Sequence, residues 1–214
     1  MSHSDQAIDP AAAGCQLLLL GPPHYEPGRL AEQLDAVLAV GGIAGFVLAT
    51  GSPDQPDRVA AHLAPLRAVC ARRGTAFLVR DDVGLALEIE ADGVHLGNAA
   101  AVPASRAKLG TERILGVSCG RSRDAAMVAG DAGADYVGFG DRGRRPDPEL
   151  YELLRWWSEL FVLPCLAEAA ATAEDGVALA RAGADFATAG EDVWSDPAGA
   201  AVAVRVLREA LASA

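Results

Sequence analysis

Several side chains that could do chemistry stand where short apolar runs end. Asp81 offers a carboxylate, the ligand type that Mg²⁺ prefers, and Ser118 offers a hydroxyl. Arg80, Arg142 and Arg144 carry guanidinium groups, which bind phosphate and carboxylate. Together these groups could hold an anionic ligand, with or without a divalent cation.

Each of these residues also has a purely structural interpretation. Asp81 could cap the helix that follows it, and Arg80 could pair with one of the two aspartates after it, which is the interpretation we favour. The Ser118 hydroxyl could satisfy a backbone group at a strand end. The basic run at 142–145 could simply be solvated. His95 lies in the middle of an apolar run, so we expect a hydrogen-bonded core histidine there.

A recurring phrase indicates which elements position these groups. The phrase ADGVHLG at 91–97 recurs as ADYVGFG at 134–140 and ADFATAG at 184–190, with a weaker echo, IAGFVLA, at 43–49. Each copy follows an Ala-rich amphipathic stretch, which is typical of a helix, a tight turn and a short buried strand. Repeated units of this kind build a parallel sheet. The three clear copies fall on every second predicted strand, which favours a closed barrel.

Apolar runs predict eight strands, and amphipathic stretches predict eight helices between them. The predicted strands are 16–20, 45–49, 76–80, 93–96, 114–118, 135–139, 161–166 and 185–189, and the predicted helices are 27–40, 55–73, 82–90, 102–109, 121–132, 147–159, 172–182 and 197–212. This order predicts an α/β protein, a single (β/α)8 TIM barrel over residues 15–214 after a flexible tail at 1–14. An open doubly wound sheet is the alternative, but no G-x-G-x-x-G follows a strand.

Composition excludes several classes of protein. The 214 residues are 51% hydrophobic and 22% charged, as in a globular domain, and the net charge is −11. We therefore expect no nucleic-acid partner and no membrane partner, because a basic surface is absent and no apolar run approaches the ~20 residues of a membrane helix. Four cysteines without a C-x-x-C motif indicate reduced thiols in a cytoplasmic protein.

Longer motifs resemble the thiamine phosphate synthase family, which includes related barrels that act in thiazole aromatisation. The matching stretches are DDVGLALEIEADGVHLGN at 81–98, ILGVS at 114–118, GADYVGFG at 133–140 and PELYELLRWWSELFVLP at 148–164. The family enzyme joins a pyrimidine diphosphate to a thiazole phosphate with the help of Mg²⁺. The resemblance implies a small-molecule ligand, namely a pyrimidine or thiazole precursor or a thiamine-like compound. It implies nothing about the oligomeric state.

The resemblance also implies roles for individual residues. Ser118 matches the strand-five serine and is the candidate catalytic residue, and Asp81 matches one of two metal carboxylates. The candidate substrate-binding residues are Arg80, Asn98, Gly140, Arg142, Arg144 and Gly190.

Other family positions are altered in this chain. The Gln-x-Arg-x-Lys pattern after strand two reads Val47, Ala49 and Gly51, and alanines follow Asn98 where the second metal carboxylate stands. The Gly-Gly turn after strand seven reads Glu168-Ala169, and acidic residues also stand at 191–192 after strand eight. We expect these acids to face the barrel mouth, to oppose a phosphate and to favour a cationic or zwitterionic ligand.

These substitutions bear on activity. The sequence predicts a member of the thiamine phosphate synthase family in which the family reaction is weak or absent and Mg²⁺ binding is weak or absent. The alternative is a catalytically inactive paralogue that acts as a small-molecule binding or regulatory protein.

Overall fold

The computed structural model describes residues 14–49, 56–169 and 172–213, without the side chains of residues 56–61 and 191. The described residues form eight parallel strands that close into a barrel in chain order, and a helix follows each strand. The strands are β1 Gln16–Leu20, β2 Ile43–Leu48, β3 Ala76–Arg80, β4 Gly93–Leu96, β5 Ile114–Ser118, β6 Tyr136–Gly140, β7 Cys165–Glu168 and β8 Phe186–Ala189. The helices are α1 Pro27–Leu38, α2 Pro56–Arg73, α3 Val83–Glu88, α4 Val102–Leu109, α5 Arg123–Asp131, α6 Pro148–Leu160, α7 Ala173–Arg181 and α8 Ala200–Ala212.

The predicted (β/α)8 barrel is therefore confirmed. The predicted tail lies outside the described residues except for Gly14. No helix in the described part of the chain is long and apolar enough to cross a bilayer.

Two apolar layers flank the strands. The apolar cluster inside the barrel consists of strand residues: Leu18, Leu20, Val47, Ala76, Leu78, Tyr136, Leu166 and Phe186. The alternate strand residues point outward and pack against the helices in a second, larger cluster. Because both faces of each strand are buried, the strands read as continuous apolar runs rather than as alternating patterns.

The aspartate of the recurring phrase has the same structural role in each clear copy. Asp92 accepts a hydrogen bond from the backbone N–H of Phe77, Asp135 accepts one from Leu115 and Asp185 accepts one from Cys165, at 2.7–2.8 Å. Each carboxylate thus ties the start of its own strand to the start of the preceding strand. The three bonds thus join β3 to β4, β5 to β6 and β7 to β8.

One predicted boundary is wrong in a way that matters for the site. The seventh strand was expected at 161–166, but β7 begins at Cys165 and includes Glu168. The apolar residues before it belong to the outer layer instead, since the Phe161 ring stacks on Trp157 at 4.1 Å and the Trp157 indole donates to the carbonyl of Leu163. The strand therefore ends two residues later than expected, and Glu168 lies inside it.

Candidate functional site

Four polar side chains meet inside the barrel, and two of them, Ser118 and Glu168, are the last residues of their strands. The Ser118 hydroxyl donates to Oε1 of Glu168 at 2.6 Å. Nε2 of His95 lies 3.0 Å from Ser118 Oγ and 3.1 Å from the same Glu168 oxygen. Nδ1 of His95 lies 2.8 Å from the Tyr136 hydroxyl. We call Tyr136, His95, Ser118 and Glu168 the interior network.

Two glycines make the interior network possible. A Cβ on Gly116 of β5 would lie 1.9 Å from the Tyr136 ring, and a Cβ on Gly138 of β6 would lie 2.6 Å from Oε1 of Glu168. Tyr136 can therefore cross over β5 to reach His95 on β4, and Glu168 can cross over β6 to reach Ser118 on β5. Each long side chain fills the space that a missing side chain leaves on the neighbouring strand.

Burial makes the charges of this network costly. His95 is 1% exposed and Glu168 is 3% exposed. Burying an ion this far from water costs several kcal/mol of hydration free energy, and a bonding partner is needed to offset that cost. The imidazole and the serine hydroxyl are the groups that compensate the Glu168 carboxylate here. Burial, and secondarily the negative charge of Glu168, raises the pKa of Tyr136 well above its ordinary value, so that the phenol stays protonated.

The structure corrects the expected position of Glu168. Sequence reasoning placed it in a loop at the mouth, where it would oppose a phosphate at helix N-termini. It is instead the buried last residue of β7, and it holds the candidate catalytic Ser118. The side chain of Glu191 lies outside the described part, and Asp192 is in the short 3₁₀ helix Glu191–Ser195 that follows Gly190.

His95 is buried and hydrogen-bonded at both ring nitrogens, which confirms the expected core histidine. Sequence reasoning missed its partnership with Ser118 and missed Tyr136 altogether. The signal that could have found them is the pair of glycines at 116 and 138, each at the middle position of a short strand.

At the rim, the two aspartates after β3 have separate roles. Asp82 caps α3 by accepting from the backbone N–H of Leu85. Asp81 has a positive φ of 58°, and its Oδ1 accepts from the backbone N–H of Gly97 at 2.6 Å. The alternative in which Asp81 caps this helix is therefore wrong. The expected pairing of Arg80 is confirmed, since its Nε lies 3.5 Å from Oδ2 of Asp81.

The resemblance implies Mg²⁺, and Asp81 is the residue that would bind it. Both of its carboxylate oxygens already have partners, namely Gly97 N–H and Arg80. In the described ranges no group of three or more His, Cys, Asp or Glu residues is arranged to hold a metal ion. A single carboxylate holds Mg²⁺ poorly, because this ion needs several oxygen ligands. The described residues therefore do not form a Mg²⁺ site by themselves.

In the arginine run after β6, Arg144 and Arg145 form ion pairs with carboxylates, whereas Arg142 has a nitrogen without a partner in the described structure. Arg144 lies 3.6 Å from Asp141, and Arg145 lies 2.9 Å from Asp175. Arg142 is half-buried, and its buried nitrogen Nη1 has no hydrogen-bond partner in the described structure. Arg142 is thus the member of the run with an unsatisfied guanidinium.

Arg121 fixes this loop and was missed by sequence reasoning. It bonds Asp141, Asp147 and Glu149 at 2.9–3.0 Å and so joins the loop after β5 to the loop after β6. These carboxylates raise the pKa of Arg121, and Arg121 in turn lowers the pKa of Asp147. The charge of Arg121 is therefore balanced by these carboxylates.

The remaining predicted site residues lie at the ends of other strands. Asn98 follows β4 and accepts from the N–H of Ala100, which caps a 3₁₀ turn. Gly140 ends β6 with φ of 112°, and a Cβ there would lie 2.5 Å from the carbonyl oxygen of Glu168. Gly190 follows β8. All three are near the barrel mouth, and their roles in substrate binding stay predictions.

We predict that the thiols are unreactive in the folded protein. Burial, and secondarily the charge of Glu168, raises the pKa of Cys119 to about 12, and burial likewise raises those of Cys15 and Cys165 to about 12 and that of Cys70 further. A thiol with a pKa of about 12 has about a thousandfold less thiolate at pH 8 than an ordinary cysteine. Ellman's reagent at pH 8 should react slowly with native protein and rapidly in denaturant. Rapid reaction of a native thiol would contradict this prediction.

Comparisons with known proteins agree with this architecture. The family model for thiamine monophosphate synthase matches residues 17–193. A thiamine-phosphate synthase of Erythrobacter litoralis is 42% identical over 87% of this chain and 92% of its own length. A thiamine-phosphate synthase of Rhodospirillum centenum is 38% identical over 91% of this chain and 98% of its own.

Solved structures show the same fold. Thiamine phosphate pyrophosphorylase from Pyrococcus furiosus has a TM-score of 0.79 at 22% identity, covering 92% of this chain and 96% of that one. The matched family region contains β2 to β8, all of β1 except its first residue, and the whole interior network. The chain belongs to the thiamine monophosphate synthase family.

Proposed function

We propose that this protein binds a small thiamine-related molecule at the barrel mouth, in the cytoplasm, and that it catalyses the coupling of a pyrimidine diphosphate with a thiazole phosphate weakly or not at all. The observation that carries the proposal is the 2.6 Å hydrogen bond from Ser118 to the buried carboxylate of Glu168. By resemblance, Ser118 is the residue that contacts substrate.

A carboxylate at this position opposes a diphosphate. Two like charges ~4 Å apart repel by about 4 kcal/mol at an effective dielectric constant near 20. A diphosphate that contacted Ser118 would be repelled by the Glu168 carboxylate. It would also find no hydrogen bond from the Ser118 hydroxyl, which already donates to Glu168. Catalysis of diphosphate departure needs the opposite, namely cations aimed at the developing negative charge.

The ion pair between Arg80 and Asp81 at the rim also supports weak or absent catalysis. Arg80 and Asp81 neutralise each other, so neither is free for an anion or for Mg²⁺ without rearrangement. This pairing favours the second candidate function, a binding or regulatory protein without turnover. The two candidates share a ligand class and differ in whether product forms.

The test is an assay of thiamine phosphate formation from both family substrates with Mg²⁺, with the Rhodospirillum centenum relative as the positive control. We expect turnover well below ~1 s⁻¹, the low end of typical enzyme rates. A thiamine-related ligand without a diphosphate, such as thiamine, should still raise the melting temperature, because a ligand at a hundred times its Kd stabilises the native state by about 2.7 kcal/mol. Turnover near ~1 s⁻¹ or above would overturn the proposal.

A further inference from the structure

A groove lies on the helical layer of the protein, between two neighbouring helices. Tyr151 and Arg155 of α6 line one side, and Glu174, Arg181 and the small apolar residues at 177, 178 and 182 line the other. We call it the α6–α7 groove. Its volume of ≈ 420 Å³ lies within the range of about 300–1,000 Å³ that is usual for small-molecule sites. The groove can therefore take a small ligand, and it shares no residue with the interior network.

The two helices that form the groove lie side by side and run in the same direction. At their starts, burial raises the pKa of Tyr151 and the negative charge of Asp175 raises it further, so the phenol is close to the first turn of α7. At their ends, a Cβ on Gly183, which follows α7, would collide with the hydroxyl of Ser158 in α6. The starts of the two helices therefore meet, and so do their ends.

This alignment brings two arginines to one end of the groove. Arg155 precedes Ser158 by three residues, and Arg181 precedes Gly183 by two. Neither guanidinium has a hydrogen-bond or ion-pair partner in the described part of the chain, whereas most arginines around the barrel mouth pair with carboxylates. Both side chains are exposed and can turn toward a ligand. Two unpaired guanidinium groups in one groove suit an anion with a charge near −2.

The other end of the groove has hydrogen-bonding groups of a different kind. Glu174 stands in the first turn of α7, seven residues before Arg181, which is about 10 Å along the helix axis. The Glu174 carboxylate accepts hydrogen bonds, and the Tyr151 hydroxyl can donate or accept them. Between the two ends, Val177 and Ala178 offer apolar surface. A ligand that fills the groove therefore has an anionic end, a carbon skeleton and hydrogen-bond donors at its far end.

We infer that the α6–α7 groove binds a sugar phosphate, with the phosphate between Arg155 and Arg181 and the sugar hydroxyls toward Glu174. A phosphate monoester carries a charge of about −1.5 to −2 at pH 7 and three acceptor oxygens, which two guanidinium groups match better than they match one carboxylate. A second phosphate at the far end would be repelled by Glu174. This inference does not rest on the proposed function, because none of the groove residues belongs to the barrel mouth.

Three probes test the two ends of the groove separately. Titration calorimetry on the full chain at low salt should give a Kd for ribose 5-phosphate about tenfold below that for inorganic phosphate, because only the sugar phosphate makes contacts at both ends. Ribose alone should bind more weakly than either. Equal affinity for ribose 5-phosphate and inorganic phosphate would overturn the sugar contact. Absence of binding by both phosphates would overturn the whole inference.

Three variants assign these contacts to residues. Arg155→Gln and Arg181→Gln should each weaken ribose 5-phosphate and inorganic phosphate about tenfold, since each removes one charge-assisted contact. Glu174→Gln should weaken ribose 5-phosphate and leave inorganic phosphate unchanged or tighter, since it removes a negative charge from the sugar end. Glutamine is a good helix former and all three positions are exposed, so these variants should fold normally.

Two further variants are controls for the place of binding. Arg205→Gln removes the same charge from an exposed position on α8 and should change each Kd less than about twofold. Arg142→Gln removes the partly unsatisfied guanidinium near the barrel mouth and should also leave each Kd unchanged. A loss in Arg142→Gln without a loss in Arg155→Gln and Arg181→Gln would place the phosphate at the mouth and overturn the inference. An equal loss in Arg205→Gln would overturn it as well, because the effect would then come from net charge alone.

Discussion

Replacing His95 with leucine is expected to lower the free energy of unfolding by about 3 kcal/mol, because it removes one of the two partners of a buried carboxylate and leaves only the Ser118 hydroxyl. Glu168 is 3% exposed, and Nε2 of His95 lies 3.1 Å from its oxygen. The Tyr136 hydroxyl loses its partner as well. Urea unfolding at pH 7 measures the effect, and His24→Leu, at an exposed histidine, should stay within about 0.5 kcal/mol of the unmodified protein.

A double-mutant cycle identifies the cause of this loss. Adding Glu168→Gln to His95→Leu removes the buried charge that has lost its imidazole partner, so the double variant should be more stable than His95→Leu alone. In the unmodified background the same Glu168→Gln change should be destabilising. If the effect of Glu168→Gln has the same sign and size in both backgrounds, the two side chains are not coupled, and the electrostatic explanation is wrong.

Replacing Gly116 with alanine is expected to destabilise the barrel by about 3 kcal/mol, at the upper end of typical overpacking costs. The added Cβ would lie 1.9 Å from the Tyr136 ring, which is 2% exposed and packed among the interior residues. Urea or thermal unfolding measures this loss. The Tyr136 to His95 contact should also break, which would remove the hydrogen bond at Nδ1.

Gly84→Ala is the matched control for this change. Gly84 lies in α3, where a Cβ would meet only an Asp82 oxygen at 3.5 Å, an ordinary contact. Because alanine is the better helix former, this variant should be stabilised by up to about 1 kcal/mol. Two equally stable variants would mean that the barrel interior relaxes around Tyr136 without cost.

The fold was predictable because its signals are local. Asp147 and Thr172 cap their helices through backbone N–H groups three residues on, and Pro148 stands in a first helical turn. Each clear copy of the repeated Ala-Asp phrase leads into a strand, as expected. The seventh strand was misplaced because Phe161 and Leu163 are as apolar as a strand. Only the Trp157 side chain, packed against them, shows that they belong to the outer layer.

The site was less predictable because it depends on contacts between strands. Glu168 and Ser118 are 50 residues apart, and their bond crosses an intervening strand over Gly138. A shift of two residues in one strand boundary moves Glu168 from a solvated loop into the interior. Asp81 and Arg142 were identified by residue type, but their partners, or the lack of one, depend on loops whose course the sequence does not specify.

The aspartate bonds at the strand starts have a consequence for how the chain assembles. They join β3 to β4, β5 to β6 and β7 to β8 across 15, 20 and 20 residues. Closing so short a loop costs little conformational entropy, and the cost grows only slowly with loop length. Each pair of βα units can therefore acquire its register before the barrel closes. The last and slowest contact to form is then the one between β1 and β8, whose partners stand about 170 residues apart along the chain.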